Sequence, residues 1–422
     1  MQLTHLSLSN FRNFARMDLN VPGGSVILWG NNAQGKTSVL EAIFYLAAFE
    51  SFHATHDRQL INFFASKEPL AVARIVADFQ RQELLSNRRK SHHLEVRLIL
   101  EVNGVNGPGR LRKEILFDGV KRKVGEALGQ FNAVLFLPQM MHIVEGPPDE
   151  RRRYLNLALS QVFPAYAEAY HEYSQVLTQR NALLKMLNEH AADLDSASEQ
   201  LSYWDERLSF YGAQVIYFRI RAVQELERYA AYIHRDLTRG QEILRMSYQP
   251  SYDPLPVKPG QFSLLLDAPV DRSHLPVEKI QQSFRQELEA RRTEEIGRGM
   301  TTIGPHRDEI RFLSNGVDIS IYGSRGQTRT VLLSLKLAEV DWMRDKTGQW
   351  PVLLLDEVLA ELDPDRRIDL LNHLSGSEQV LLTTTDLDLF NHSYISHACL
   401  WKVHAGRVEV PMDKPGDLSS QG

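Results

Sequence analysis

The 422-residue sequence predicts an α/β fold with an inserted helical hairpin domain. Three observations predict it. Short apolar runs lie near both ends of the chain: GSVILWG (24–30), PVLLLDE (351–357) and EQVLLTTTD (378–386). Their length and composition are those of buried strands. The first run enters a glycine loop and then TSVLEAIFYLAAF (37–49), which is apolar all round, as a buried helix is. From Pro164 to about Arg239 the texture changes, and large side chains recur every seven residues.

Residues 1–150 form the first part of the α/β region. In LEVRLILEV (94–102), Leu94, Val96, Leu98, Leu100 and Val102 share one face of a half-buried strand. In ILFDGVKRKV (115–124), Asp118-Gly119 lies between strand-like runs, the signal of a type I′ hairpin. Residues 151–296 form the helical part. In its second helix Leu201, Leu208, Val215, Ala222 and Tyr229 repeat by sevens. Trp204, Tyr211, Phe218, Glu225 and Tyr232 form a companion series that Glu225 breaks. The first helix echoes this through Tyr166, Tyr170, Tyr173, Leu177, Leu184 and Leu187. Two antiparallel helices along one seam are expected, the longer reaching roughly 60 Å. Proline-rich residues 247–280 mark a loop excursion, followed by a polar helix over about 277–296. Residues 297–410 complete the α/β region, and a disordered tail is expected over 411–422.

The composition is 43% hydrophobic and 24% charged, that of an ordinary globular protein of two or three domains. No apolar run approaches the ~20 residues that span a bilayer, and the start lacks the pattern of a signal peptide. One cysteine, Cys399, excludes an internal disulfide. A cytoplasmic protein without membrane attachment is the expectation. The net charge of −5 gives no support for nucleic-acid binding, so any such role must rest on local basic patches.

GNNAQGKT (30–37) fits G-x-x-x-x-G-K-[ST] and sits between a strand and a helix. Gly30 and Gly35 permit a loop whose N–H groups turn inward around a phosphate; Asn31, Asn32, Ala33, Gln34 and the following Ser38 complete it. Lys36 brings a cation to the β- and γ-oxygens, and Thr37 offers a hydroxyl to Mg²⁺. Far downstream an apolar strand (352–355) ends in Asp356, placed to hold Mg²⁺, and Glu357, placed to polarise an attacking water. Lys36 and Glu357 are therefore the candidate catalytic pair for hydrolysis of a bound nucleotide.

A second glycine motif, YGSRGQTRTVLLSLKLAE (322–339), has no lysine. Val331, Leu335, Ala338 and Trp342 carry it forward as a helix, and a loop feeding a helix N-terminus receives anions. Ser324 or Thr328 as a simple N-cap is the alternative. Ser324, Arg325, Gly326, Gln327 and Arg329, just before the acidic strand, resemble the signature motif of ABC-type ATPases. The resemblance implies that the motif caps the γ-phosphate held by a second copy, which brings the missing lysine. It also implies a D-loop in AELD with Glu361 and Asp363, a switch at Thr385 and Asp386 in place of a histidine, and a metal-side glutamine at Gln139.

LSLSNFRNF (6–14), NNAQGKTSVLEAI, VEGPPDERRRYLNLALSQVFPAY, QRNALLK (179–185), TTIGPHRDEI, GSRGQTRT and LLLDEVLAELD together resemble the RecF family, over nearly the whole chain and in its order. That family is itself similar to SMC heads with shortened arms, so the resemblance implies an ABC-ATPase, SMC-head-like P-loop domain. It further implies ATP-dependent homodimerisation, a weak DNA-stimulated ATPase, and binding of double-stranded, single-stranded and junction DNA. RecR and RecO are implied as partners in recombinase loading, replication-fork repair and the SOS response. Arg12 and Asn13 are implied nucleotide contacts. Asn156 stands where the family more often has aspartate, and an acidic residue expected near Gln139 is absent.

Lys121, Arg122 and Lys123, with Arg110 and Arg112, are candidate DNA contacts; runs 88–90 and 151–153 are also basic. Such clusters contact phosphates with little sequence preference, or form an ordinary solvated face. His306 and Asp308 in GPHRD have no acidic cluster to make a nuclease site with them. An SMC-like chromosome-organising ATPase is the rival reading, and the absence of long arms argues against it. A transport subunit would keep both glycine motifs in one compact domain.

Overall fold

Apolar runs without alternation must be covered on both faces, which favours a parallel sheet under helices. The computed structural model, which describes residues 1–82, 88–101, 109–189, 194–255 and 270–410, has such a sheet. Its strand order is Arg407–Glu409, Cys399–His404, Gly24–Trp29, Gln379–Thr384, Val352–Asp356, Ala133–Phe136. All neighbours are parallel except the terminal hairpin. Parallel strands present their C-terminal ends on one edge, where the expected nucleotide residues lie. The register puts Asp356 beside Thr383, and Thr384 beside Trp29. The helix Lys36–Ala48 is buried along nearly its whole length.

A second, antiparallel sheet runs in the order Phe14–Asn20, Gln2–Phe11, Leu70–Gln82, Arg89–Glu101, Arg110–Phe117, Val120–Arg122. Leu94, Val96, Leu98 and Leu100 are buried on one face; Val102 lies outside the described residues. The Asp118-Gly119 turn has positive φ at both positions (50° and 77°), as a type I′ hairpin requires. Both sheets belong to one compact unit, Met1–Pro138 together with the segment from Thr347 onward.

The second unit is Gln139–Lys346, so the divisions fall near 138 and 346 instead of 150 and 296. The physical reason is a small sheet. Strand Leu244–Gln249 pairs antiparallel with Glu309–Ser314, which in turn pairs with Val317–Asp318, tying residues 297–346 to the helical segment. Of the 247–280 excursion, residues 256–269 lie outside the described residues.

Helices Pro164–Glu189 and Leu194–Leu237 form the expected pair, with Leu201, Leu208, Val215 and Ala222 buried. The companion series is not a second seam: Tyr232 is exposed, while Gly212, Arg219, Leu226 and Ile233 are covered instead. A third helix, Val277–Arg298, supplies the reason, burying Ile280, Phe284 and Leu288 in the same bundle. Gly212 lets it in, because a Cβ there would stand 2.5 Å from the Phe284 ring. The break at Glu225 is also explained. Its carboxylate accepts from Trp342 Nε1 at 2.8 Å and from Lys346 Nζ at 2.7 Å, both on the helix Arg325–Thr347.

GPHRD is a structural hub, buried at Gly304, Pro305 and Asp308. Arg219 donates to the Pro305 carbonyl and, at 2.7 Å, to Asn156 Oδ1. Asp308 accepts from the Tyr248 hydroxyl and from the Ser251 N–H. His306 accepts from the Tyr173 hydroxyl at 2.6 Å and donates to the Thr301 carbonyl at 3.3 Å, the pattern of a neutral imidazole. Burial pushes its pKa down to about 4. A histidine depressed from about 6.5 contributes stability that is present above that value and lost as pH falls through the folded value. Between pH 7 and pH 4 this group is expected to remove up to roughly 3 kcal/mol. In urea melts across that range, the acid loss of His306→Gln should be shallower than that of the parent. Equal slopes would count against this assignment.

Candidate active site

The phosphate loop leaves the strand Gly24–Trp29 and enters the helix at Lys36. Two of its glycines are obligatory. Gly30 has φ 148°, and a Cβ there would stand 2.4 Å from the Val403 carbonyl oxygen; Gly35 has φ 116°, and a Cβ would meet Asn13 Nδ2 at 2.5 Å. The loop is braced from outside. Asn13 Nδ2 donates to the Gln34 carbonyl at 3.0 Å, and Ala405 N–H donates to Gln34 Oε1 at 2.7 Å. Asn31, Asn32 and Ala33 are exposed, Ala33 at φ 62°, and Ser38 is half-buried.

Lys36 is 4% exposed. Its Nζ donates to the carbonyls of Gly30 (2.8 Å) and Asn31 (3.1 Å) and stands 3.2 Å from Glu357 Oε1. The Thr37 hydroxyl lies 2.9 and 3.0 Å from the two Asp356 oxygens. Thr383, which the sequence reading passed over, completes the group. Its hydroxyl donates to Asp356 Oδ1 at 2.7 Å and accepts from the Glu357 N–H at 3.0 Å. Glu357 itself has φ 51°, an uncommon conformation for this residue type and one often kept at functional sites.

Burial raises the Asp356 pKa; the hydroxyls of Thr383 and Thr37 pull it back, and Glu357 raises it again. A buried carboxylate met by hydroxyls beside a second acid is a fitting donor for a divalent cation. Among the described residues no three His, Cys, Asp or Glu side chains group to hold a metal. A Mg²⁺ ion here would therefore fill its shell with phosphate oxygens and water, as it usually does.

Other expected residues have local partners. Arg12 sends both arms of its guanidinium to buried Glu41, at 2.7 and 2.6 Å. Asp363 caps the helix Pro364–Leu374 by accepting from Arg366 N–H at 3.0 Å, and Glu361 is exposed. Thr385 is exposed just past its strand, and Asp386 caps the turn Leu387–Leu389. Gln139 is exposed on the turn Pro138–Met141, at the start of the second unit.

In the second unit, Ser324 stands immediately before the helix Arg325–Thr347. It forms a reciprocal capping box with Gln327: Gln327 N–H donates to Ser324 Oγ at 3.3 Å, and Ser324 N–H donates to Gln327 Oε1 at 3.1 Å. Thr328 is buried, donating its hydroxyl to the Ser324 carbonyl. The capping and anion-binding readings are thus compatible, since the serine retains its hydroxyl proton and the next N–H groups remain aimed off the helix end. Arg325 is exposed and Arg329 half-buried.

The basic candidates lie on the antiparallel sheet and its edge. Arg112 and Lys121 share one face with Glu114, 3.8 and 3.0 Å away respectively. Arg122 stands 3.9 Å from Glu126, and Arg110 and Lys123 are exposed. On that face Glu95 is buried between Arg74 and Arg97; burial raises its pKa, and their hydrogen bonds outweigh this, holding it at about 2. Arg151 is committed internally, donating to Glu309 at 2.7 Å, and Arg152 donates to the Asp308 carbonyl at 2.6 Å.

Known proteins resemble this chain along nearly its whole length. Residues 2–402 match the model of the RecF/RecN/SMC N-terminal domain. A DNA replication and repair protein RecF from Chloroflexus aggregans is 38% identical over 97% of this chain and 99% of its own length. One from Lacticaseibacillus casei is 36% identical with the same coverage. Among solved structures, a recombination mediator protein RecF described with ATP in the RecFOR pathway is 28% identical, with TM-score 0.76, covering 97% of this chain and 99% of that one. No described helix is long and apolar enough to cross a membrane. A phosphate loop, a strand ending in paired acids and a capped second glycine motif, on a chain aligned end to end with these relatives, place it in the RecF family of DNA replication and repair proteins.

Proposed function

We propose that the chain is an ATP-driven recombination mediator: ATP joins two copies on DNA, and slow, DNA-stimulated hydrolysis releases them. The observation that carries this is the Lys36–Glu357 and Thr37–Asp356–Thr383 arrangement at the C-terminal edge of the parallel sheet. It has a phosphate cradle, a metal-side carboxylate and a candidate base, while the signature belongs to the other compact unit. Thr37 and Asp356 would hold Mg²⁺, which neutralises charge on the phosphate oxygens. Ser324 and the N–H groups after it would meet the γ-phosphate held by the partner copy, with the D-loop around Glu361 and Asp363 crossing between them. Once that phosphate is lost, so is the bridge.

The RecFOR context of the solved relatives supports RecR- and RecO-like partners acting at gapped DNA, in replication-fork repair and the SOS response, in the cytoplasm. Arg110, Arg112 and the run Lys121–Lys123 would contact DNA phosphates, giving steep salt dependence.

Light scattering with ATP tests the cross-copy reading. Ser324→Arg, which fills the anion site with a long side chain, should bind ATP as the parent does yet stay monomeric. Normal dimerisation of Ser324→Arg would refute the reading.

A further inference from the structure

The capping box of the signature leans on a carboxylate outside the motif. Gln327 accepts the Ser324 N–H on Oε1, so its Nε2 faces the other way and donates to Glu242 Oε1 at 3.1 Å. The other Glu242 oxygen accepts from Ser314 Oγ at 2.8 Å and from His234 Nε2 at 3.2 Å. His234 is wholly buried on the helix Leu194–Leu237 and lies 3.1 Å from Ser334 of the signature helix. Burial alone would raise the Glu242 pKa, but these donors outweigh it and keep the group below its ordinary value. With both ends of the amide engaged, Gln327 Oε1 is held toward the Ser324 N–H. Glutamine at this position also caps the helix without adding charge where an anion is to arrive, which a glutamate could not do.

We propose that Glu242 is a positioning residue for the signature: through the Gln327 amide it holds Ser324 in the orientation that meets a phosphate on the partner copy. This rests on the cross-copy reading above. Glu225, on the long helix, anchors the far end of the signature helix through Trp342 and Lys346, and Glu242, in the segment that follows the long helix, anchors its start.

The test is a double-mutant cycle on ATP-driven dimerisation, read by equilibrium sedimentation of the full chain. Glu242→Ala should bind ATP as a monomer within about twofold of the parent, because only the signature is loosened. Its dimerisation should weaken by about tenfold, the value of one hydrogen bond to a charged group. Glu242→Asp, which retains the charge but withdraws it by about 1.5 Å, should weaken it in the same direction; it serves if the alanine variant does not fold. In a Gln327→Ala background neither Glu242 substitution should cost anything further, since Glu242 acts on Ser324 only through the Gln327 amide. Hydrogen exchange of the 322–330 segment, measured without ATP, should quicken in the Glu242 variants. Parental dimerisation of both Glu242 variants, or penalties that add with Gln327→Ala, would overturn the proposal. Failure of the cross-copy reading appears separately, as dimerisation of Ser324→Arg.

Discussion

Lys36→Met is expected to lose ATP binding by about a hundredfold or more while keeping its fold. The lysine is 4% exposed and already turned into the loop, with its ammonium on the Gly30 and Asn31 carbonyls and near Glu357. The same reach would bring it to the β- and γ-oxygens of a triphosphate. Methionine reproduces the unbranched apolar stem of lysine as far as Cε, so packing against the loop survives. The cation is lost, however, and a triphosphate would then be gripped by N–H groups alone, beside the uncompensated acids Asp356 and Glu357. Those charges repel it. Roughly 3 kcal/mol is the order expected for removing one partner of a desolvated charge pair. Isothermal titration with ATP and Mg²⁺ measures it, and a circular dichroism melt checks folding. Lys36→Arg should restore little, because a planar fork cannot occupy the place of a compact ammonium inside the loop. A Kd within threefold of the parent for Lys36→Met would remove the loop from the nucleotide site.

The site was legible where its chemistry is local in sequence. GNNAQGKT carries its own spacing, and an apolar run ending in two acids announces a strand edge. Thr383 was not legible, because its role depends on lateral register: the strand Gln379–Thr384 lies between the loop strand and the acidic strand, which sets Thr383 opposite Asp356. A run of three threonines before an aspartate hinted at a polar strand end without saying which hydroxyl turns inward. The third helix was legible as the polar helix over about 277–296, but its place in the bundle was not, for a related reason. Its sequence is polar, and only Gly212 opposite Phe284 permits the close approach. Glu225, by contrast, was visible as a flaw in the heptads, and its partners were not, because Trp342 lies 117 residues away. Strands Gln2–Phe11, Leu70–Gln82 and Ala133–Phe136 carry no turn signal as sharp as Asp118-Gly119, so they emerged only with the fold.

Glu357→Gln is expected to bind ATP, dimerise and remain dimeric, with hydrolysis slowed by about a hundredfold or more. The change is nearly isosteric, so the positive φ at this position and the Glu357 N–H bond to Thr383 are preserved. The basic oxygen is not. An amide cannot take a proton from water, and general-base contributions of this order disappear with it. Binding should survive, and even improve slightly, because a carboxylate 3.2 Å from Lys36 competes with the triphosphate for that cation. The two effects move in opposite directions, which separates a lost base from a damaged site. Phosphate release measured alongside sedimentation reads both. A glutamine variant that turned over at the parental rate would show that water is activated elsewhere, and one that hydrolysed slowly because ATP no longer bound would make Glu357 a binding group. Persistence of the dimer is the decisive outcome, since it requires that loss of the γ-phosphate, not binding of ATP, is what separates the two copies.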